Sequence, residues 1–400
     1  MYINKLYIKA ANILFYILFG IVLISNYISI LINGSVLNFN TTAIVSIAGS
    51  LLLTIQVILY LNNNKKINYN IYLLLICILI FYVFFWSIIN LISDYNKIYE
   101  VATMQSIELI VLWLGLIFIG FNLHLKRIDK KILFFIILLT IFSTIVFSIK
   151  SHTVAIYTKL FFDLDDVEVG YQYLSRAALV IFVFYAALAK SPISQNIIML
   201  IGAYILFTIG SRSEFFAFIF AFVLISLIDL VSHNFSFKKI IVFLGSLLFV
   251  LIILYNNIGI FLETRFSDIL NISHSTSWDA RAGSQEKAIN QIKDSVVLGY
   301  YAGHINEYGI RGYSHNILSS WVNYGIFGFL LYLIINLYVF IYSFFMYWNK
   351  KNDKNEKELW LILLLSTIIL ILIIFSKSIF WPLPALVWGL MLKFQFSLKG

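Results

Sequence analysis

The most restrictive feature of this sequence is a series of long apolar runs that carry almost no charge. The stretch LWLILLLSTIILILIIF (359–375) is the clearest case, because it has no acidic or basic residue. A bilayer core takes about 20 apolar residues per helix, and only helices and closed barrels can satisfy their backbone polar groups there. Barrel strands would be short and alternating, unlike these runs. The sequence therefore predicts an all-α polytopic membrane protein.

Composition agrees with this class. Apolar residues make up 61% of the 400 residues and charged residues only 12%, far from the balance of a soluble globular domain. We expect membrane lipid around the chain and no nucleic acid as a partner. The single cysteine, Cys77, cannot form an intramolecular disulfide. The first apolar run follows Lys5 and Lys9 and lacks a small-residue cleavage site, so we expect a retained first span.

The apolar runs predict about twelve spans, which we assign to one domain of residues 1–400. Polar breaks separate them, and each run is long enough to cross a bilayer or nearly so. The predicted spans are 10–32, 42–61, 70–92, 101–123, 132–149, 174–190, 195–210, 214–231, 240–258, 322–347, 359–376 and 379–396.

The connections between these spans alternate in charge. NNNKKIN (62–68) and HLKRIDKK (124–131) are lysine-rich, whereas INGSVLNFN (32–40) has no basic residue. By the positive-inside rule the lysine-rich connections and both termini lie in the cytoplasm. Two long segments, 150–173 and the larger 259–321, then face outward. The larger one is long enough to carry function.

Arginine and lysine divide differently between the two sides. On this topology 16 of 22 lysines are cytoplasmic, but five of six arginines face outward. The guanidinium fork binds phosphate and carboxylate bidentately, so this asymmetry indicates an anionic, phosphorylated ligand outside. The alternative is that some of these arginines only anchor helices at the headgroups. The outward arginines are Arg176, Arg212, Arg265, Arg281 and Arg311.

Two motifs place arginines where a ligand can reach them. GSRSE (210–214) interrupts a long apolar stretch, so the chain must turn there and Arg212 must face a polar cavity or the interface. The alternative is a structural hairpin held by a pair of Arg212 and Glu214. In the large outer segment, ETRFSDI contains Arg265, and WDARAGSQEKAINQI (278–292) predicts a helix with Arg281 in its first turn. A phosphate there would also meet free backbone N–H groups.

The triplet Ser314-His315-Asn316 precedes the tenth predicted span. A helix N-terminus disfavours imidazolium, which suits His315 as a general base; the alternative is an interfacial helix cap. Ser314 and Asn316 are candidates to orient the ring or the substrate. His304 lies in a glycine- and tyrosine-rich segment, where we expect a solvated side chain.

Metal ligands are sparse on the outer side. The acidic run DLDDVE (163–168) has no histidine or cysteine beside it, and the first outer loop has no carboxylate. We therefore expect a solvated loop face at 163–168, a metal-independent protein, and no cofactor.

With these residues assembled, the chain resembles the O-antigen polymerase and ligase superfamily of bacterial envelope glycosyltransferases. The resemblance rests on GSRS at 210–213, on Arg265 and Arg281, and on Ser-His-Asn followed by Gly325 and Gly328. It covers roughly residues 200–350. We expect the two glycines to serve close packing.

The resemblance implies a GT-C-like fold in the bacterial inner membrane, with the active site facing the periplasm. It implies a donor glycan carried on undecaprenyl pyrophosphate and, as a candidate partner, a protein that regulates chain length. His315 would be the base, while Arg212, Arg281 and Arg265 would bind the pyrophosphate and Ser314, Asn316 and Glu214 would orient the substrate.

Three functions remain open at this stage. A polymerase would transfer the growing glycan onto the next lipid-linked repeat unit, and a ligase would deliver it to the lipopolysaccharide core. The spacing from Asn316 to Gly325 is one residue shorter than in the ligases, which leaves that choice open. A flippase or other transporter, without chemistry, is the third candidate, although the two halves show no internal repeat.

Overall fold

The computed structural model describes residues 5–32, 41–62, 70–93, 96–151, 170–232, 276–309, 314–349 and 356–399, with two isolated positions at 245 and 248. Every regular element within these ranges is helical. The all-α class predicted from the sequence is therefore confirmed for the described part of the chain. Arg265, Arg311 and the run 163–168 lie outside it.

The structure describes fourteen α-helices within these ranges. A π-helical stretch, Tyr16–Ile21, joins the first two helices. The order is α1 Lys5–Phe15, α2 Val22–Ile32, α3 Thr41–Asn62, α4 Ile71–Ser93, α5 Lys97–Asn122, α6 Lys130–Ser151, α7 Gly170–Ala187, α8 Pro192–Ile209, α9 Arg212–Ser232, α10 Thr276–Asp294, α11 Gly303–Tyr308, α12 Leu318–Asn349, α13 Glu356–Phe375 and α14 Pro384–Lys399.

Several of these helices have the dimensions of membrane spans. Among the described residues, eight are long and apolar enough to cross a bilayer, by length and composition. The predicted spans 132–149, 174–190 and 379–396 coincide with α6, α7 and α14, which are also helical. The predicted span 240–258 lies almost entirely outside the described residues. The helices indicate a membrane protein.

Glycines allow the central helix α5 to touch two neighbours backbone to backbone. A Cβ on Gly120 would lie 2.1 Å from the Leu386 carbonyl oxygen of α14, and one on Gly389 would lie 2.4 Å from the Ile117 oxygen. Gly115 meets Gly49 of α3 in the same way, with only 2.7 Å between an added Cβ on Gly49 and the Gly115 Cα. Such small-residue contacts hold helices together where lipid removes the hydrophobic driving force.

Replacing Gly120 with alanine should therefore destabilise the bundle. The added methyl meets backbone, which cannot rotate away, and overpacking of this kind costs about 1–3 kcal/mol. Thermal unfolding of the purified protein in detergent would measure it. Gly283→Ala is the matched control, because a Cβ there meets nothing within 4 Å. Equal unfolding temperatures for the two variants would contradict the backbone contact.

One end of the bundle gathers the lysine-rich connections. Lys393 Nζ lies 2.7 Å from Glu358 Oε1 and donates to the Leu123 carbonyl oxygen at 2.8 Å. Lys130 donates to the Leu188 oxygen at 3.2 Å, and Lys357 donates to Ala189. We call this group of residues, 123–131, 188–191, 356–358 and 393–395, the lysine end. Of the connections predicted to share one side, 124–131 lies here, and 62–68 lies almost entirely outside the described residues.

Candidate functional site

The opposite end of the bundle holds a buried ion pair between α9 and the α13–α14 connection. Lys377 Nζ lies 2.6 Å from Glu214 Oε1, and the two side chains are 11% and 3% exposed. Ser211 Oγ donates to the second carboxylate oxygen of Glu214. The sequence offered Arg212 as one candidate partner of Glu214; in the structure Lys377 supplies a cation to this carboxylate.

The turn before α9 follows from its sequence. Gly210 ends α8 with φ of 79°, a left-handed conformation that glycine adopts without strain. The chain then reverses and α9 begins at Arg212. Arg212 and Glu214 lie in the first turn of α9, and the arginine is partly buried. The predicted turn at GSRS is therefore confirmed.

The same α13–α14 connection contacts the Ser-His-Asn turn. The Ile379 N–H donates to Ser319 Oγ at 2.9 Å, and that hydroxyl donates to the Asn316 carbonyl oxygen at 2.8 Å. Lys377 and Ile379 thus connect the GSRS turn to the start of α12. These two motifs, about a hundred residues apart in the sequence, belong to one site.

Ser314 and Asn316 cap the start of α12. Asn316 Oδ1 accepts hydrogen bonds from the Leu318 N–H at 3.0 Å and from Ser314 Oγ at 2.7 Å. The helix-cap interpretation therefore holds for these two residues, and their role in orienting substrate stays a prediction. His315 lies between them, half-buried and three residues before the helix, as expected for a side chain near the N-terminus of this span.

Helix α12 is interrupted at Gly325, seven residues after its start. Gly325 has φ of 65° and ψ of −174°. The turn that precedes α11 fits into the interruption: the Ile326 N–H donates to the Val297 oxygen at 3.2 Å, and the Tyr300 N–H donates to the Val322 oxygen at 2.6 Å. A Cβ on Gly325 would lie 2.2 Å from the Val297 oxygen. Glycine is therefore required both for backbone conformation and for space.

Two aromatic side chains of α4 satisfy further carbonyls freed by the interruption. Tyr82 Oη donates to the Tyr324 oxygen at 2.8 Å, and Trp86 Nε1 donates to the Asn323 oxygen at 3.1 Å. A Cβ on Gly328 would lie 3.1 Å from Tyr82 Cε1. The prediction that Gly325 and Gly328 serve close packing is thus confirmed.

His304 was predicted to be solvated, and this was wrong. It lies in α11, only 3% exposed, with its ring 5.7 Å from that of Phe380. Burial lowers the pKa of His304 to about 4, while a hydrogen bond to Asn323 acts in the opposite direction. The ring is therefore neutral near pH 7, and its stabilising contribution is lost as the pH falls from about 6.5 towards 4.

Of the three arginines of the large outer segment, only Arg281 lies within the described residues. Residues 276–294 form α10, so the predicted helix is confirmed. Arg281 is its sixth residue and lies in the second turn, not the first as expected, because the helix begins before Trp278. The structure describes the backbone at Arg281 but not its side chain, and it does not describe Arg265.

Arg176 of α7 also reaches this region. Its guanidinium carbon lies 4.7 Å from the centre of the Tyr173 ring. The Arg176 side chain borders a narrow gap that has no room for a water molecule and whose other walls are apolar or hydroxyl side chains. Those residues are Leu18, Phe19, Thr42, Leu112, Leu116, Pro382 and Leu383.

This gap lies well below the start of α5. Leu112 is about 22 Å along α5 from its first residue, Lys97, at 1.5 Å per residue. Tyr99, near that tip, stacks on Tyr301 with ring centres 5.8 Å apart, so the segment before α11 stands beside it. We call residues 210–214, 296–304, 314–320 and 376–382 the arginine end.

Sequence reasoning missed Lys377 as a member of the site. The signal was present, because FSKSIFWPLP (375–384) places one lysine in a short connection on the outward side. A lone cation between two strongly apolar helices requires a partner. Nothing in the sequence, however, indicates that its partner is Glu214.

No family model matches this chain, and neither a curated protein nor a solved structure does. Within the described ranges, no three histidine, cysteine, aspartate or glutamate side chains come together as metal ligands would. The assignment of function therefore rests on the residues themselves.

Proposed function

We propose that this protein is a membrane glycosyltransferase that polymerises lipid-linked oligosaccharide repeat units. It would transfer the growing glycan from undecaprenyl pyrophosphate onto a hydroxyl of the next lipid-linked unit. The observation that carries the proposal is that the connection containing Lys377 and Ile379 contacts both the GSRS turn and the start of α12 after Ser-His-Asn, at one end of an apolar bundle. Such a place admits a lipid-bound donor and a water-exposed acceptor together.

The reaction assigns a role to each residue type. His315 takes the proton from the acceptor hydroxyl as its oxygen attacks the anomeric carbon. The bond from that carbon to the pyrophosphate oxygen breaks, and its electron pair leaves with the pyrophosphate. Arg212 and Arg281, with Arg265 as a third, stabilise the charge that develops there. The simplest course inverts the anomeric carbon, and the activated donor requires no cofactor.

The second candidate is a ligase, which would carry out the same transfer with lipopolysaccharide core as the acceptor.

A transporter is favoured by one observation, since interrupted helices such as α12 are common in transport proteins. In this chain, however, the described carbonyls and N–H groups at the interruption bond to residues 297 and 300 and to Tyr82 and Trp86. Because these backbone groups already bond to the protein, they do not serve to coordinate a transported substrate or ion, and this favours an enzyme over a transporter.

The direct test is elongation by the purified protein. A synthetic repeat unit on undecaprenyl pyrophosphate should be converted into a ladder of longer lipid-linked glycans, with EDTA present and no nucleotide sugar added. Supplying lipopolysaccharide core as the competing acceptor distinguishes the ligase. If no ladder forms while the core becomes glycosylated, the protein is a ligase and not a polymerase. If the intact lipid is transported and no new linkage forms, the protein is a transporter.

The proposal includes twelve spans in the inner membrane, with the arginine end facing the periplasm. In a Cys77→Ser background, a cysteine at Glu286, an exposed position of α10, should react with an impermeant maleimide in intact spheroplasts. A cysteine at Lys131, exposed at the lysine end, should react only after permeabilisation. The reverse pattern would invert the orientation and remove the site from the periplasm.

A further inference from the structure

Four apolar side chains at the arginine end are exposed, although the backbone that carries them is held in place. They belong to the connection between α10 and α11. Val297 is 66% exposed and Leu298 is 56% exposed, and Val296 and Tyr300 beside them are exposed too. We call residues 296–300 the apolar tip. Exposed apolar side chains this close together mark a surface that contacts another protein or a membrane.

The backbone of the apolar tip forms hydrogen bonds with the protein. Trp321 Nε1 donates to the Val296 oxygen at 2.8 Å, and the Gly299 N–H donates to the Ser295 oxygen at 2.9 Å. The two bonds between the tip and the interruption of α12 add to these. Irregular backbone is tolerated at membrane depth only where its polar groups bond to protein or water. These bonds therefore make the tip compatible with lipid.

The apolar tip adjoins exposed apolar side chains of α12. The Val297 oxygen contacts Gly325 and Ile326, and the next exposed side chains along α12 are Phe327 and Leu330. Both are large and apolar, and they lie on a helix with the length and composition of a membrane span. The tip therefore extends the apolar surface that this span presents to lipid.

Helix α12 also indicates the depth of the tip. From Gly325 to Trp348 it advances about 35 Å at 1.5 Å per residue, slightly more than the roughly 30 Å of a hydrocarbon core. Trp348 is exposed at the end of this length, and Trp321 is partly exposed beside the tip. Tryptophan is enriched where hydrocarbon meets the headgroups. The tip therefore lies at the boundary of the hydrocarbon, on the side away from the lysine end.

The residues that precede the tip are polar. Helix α10 ends at Asp294, and both Lys293 and Asp294 are exposed. Further back, Glu286 and Lys287 are exposed as well. Charged side chains that give way to apolar ones within a few residues match the change from headgroups to hydrocarbon at a bilayer surface. A protein partner would account for the apolar side chains but not for the depth at which they lie.

We infer that the apolar tip inserts into the leaflet at the arginine end and contacts lipid acyl chains, so that the connection between α10 and α11 is a membrane anchor. The last turn of α10 is then held at the headgroups, and the interruption of α12 is covered by a segment that itself contacts lipid. This anchor goes beyond the proposed function and holds whether or not the protein transfers sugars.

Quenching of a fluorescent label distinguishes lipid, water and protein around the tip. Val297→Cys and Leu298→Cys, each in a Cys77→Ser background, would be labelled with bimane, and the full-length protein would be placed in lipid nanodiscs, where both faces are open to solution. Iodide should quench these labels several times less than a label at Glu286→Cys. A nitroxide on the acyl chain close to the glycerol should quench them several times more, as it should a label at Leu330→Cys, the lipid-facing control.

Three results would overturn the inference. Iodide quenching equal to that at Glu286 would place the tip in water. Protection from both quenchers would mean that protein covers the tip, whether another part of this chain, a second copy or a different partner. Stronger quenching by a nitroxide near the methyl end of the acyl chain than by one near the glycerol would remove the tip from the hydrocarbon boundary.

Discussion

His315→Ala should lose most polymer while the protein still inserts and still binds the lipid-linked donor. General-base catalysis contributes about 10²–10⁴-fold, so elongation of a lipid-linked repeat unit by purified protein should fall by that factor. Binding of undecaprenyl phosphate should not change, because the imidazole acts on the acceptor hydroxyl. The measurement is the initial rate of elongation at saturating donor.

Two other histidines serve as controls for this variant. His304 is buried against Phe380, so His304→Ala should lower the unfolding temperature and leave the rate of the folded fraction nearly unchanged. His124 belongs to the lysine end and should be silent in the elongation assay. Parental elongation by His315→Ala would mean that another group takes the proton; Glu307 would be the next to test.

Arg212→Ala should cost roughly 3 kcal/mol of transition-state stabilisation, on the order of a hundredfold or more in rate. Arg281→Ala should have a similar effect. Arg212→Lys keeps the charge but loses the planar fork, so it should remain impaired if the contact with phosphate is bidentate. Glycan ladders at matched protein levels, together with rates of the purified variants, would measure this.

The structure adds a check on folding to this prediction. Arg212 begins α9 beside the Ser211–Glu214–Lys377 contacts, so its loss must be separated from damage to the turn. Ser211→Ala removes a contact of the turn and leaves Arg212 intact, and it should lower stability more than rate. Normal ladders in Arg212→Ala and Arg281→Ala cells would argue decisively against pyrophosphate binding by these arginines.

The helices were predictable because lipid leaves the chain few alternatives. An apolar run of span length has to become a helix, so the predicted runs within the described ranges are largely helical, and eight helices there have the length and composition of a span. The place of the lysine-rich connection 124–131 at one end of the bundle agrees with the alternation of charge. Helix formation and the side on which a connection lies depend on the local sequence and on the lipid around it. Both can be predicted without knowing which helices pack against each other.

The contacts of the site depended on packing and were not predictable. Lys377 pairs with Glu214 across 163 positions of sequence, and no local pattern links them. The interruption of α12 falls in an apolar stretch that looks continuous, and only the approach of the Val297 carbonyl shows why Gly325 must be glycine. His304 was misjudged for the same reason, since its segment is fixed by the Tyr300–Val322 hydrogen bond.

The interruption at Gly325 also constrains the order in which the protein can be made. Its exposed carbonyls would be costly in lipid until donors reach them. The residues that donate to them come earlier in the chain: Tyr82 and Trp86 of α4 are already in the membrane, and Tyr300 has just been synthesised, when α12 leaves the ribosome. We therefore expect biogenesis to be vulnerable at α4. Losing the Tyr82 hydroxyl and the Trp86 indole together should leave α12 poorly inserted and the chain open to membrane proteases, long before any substrate is met.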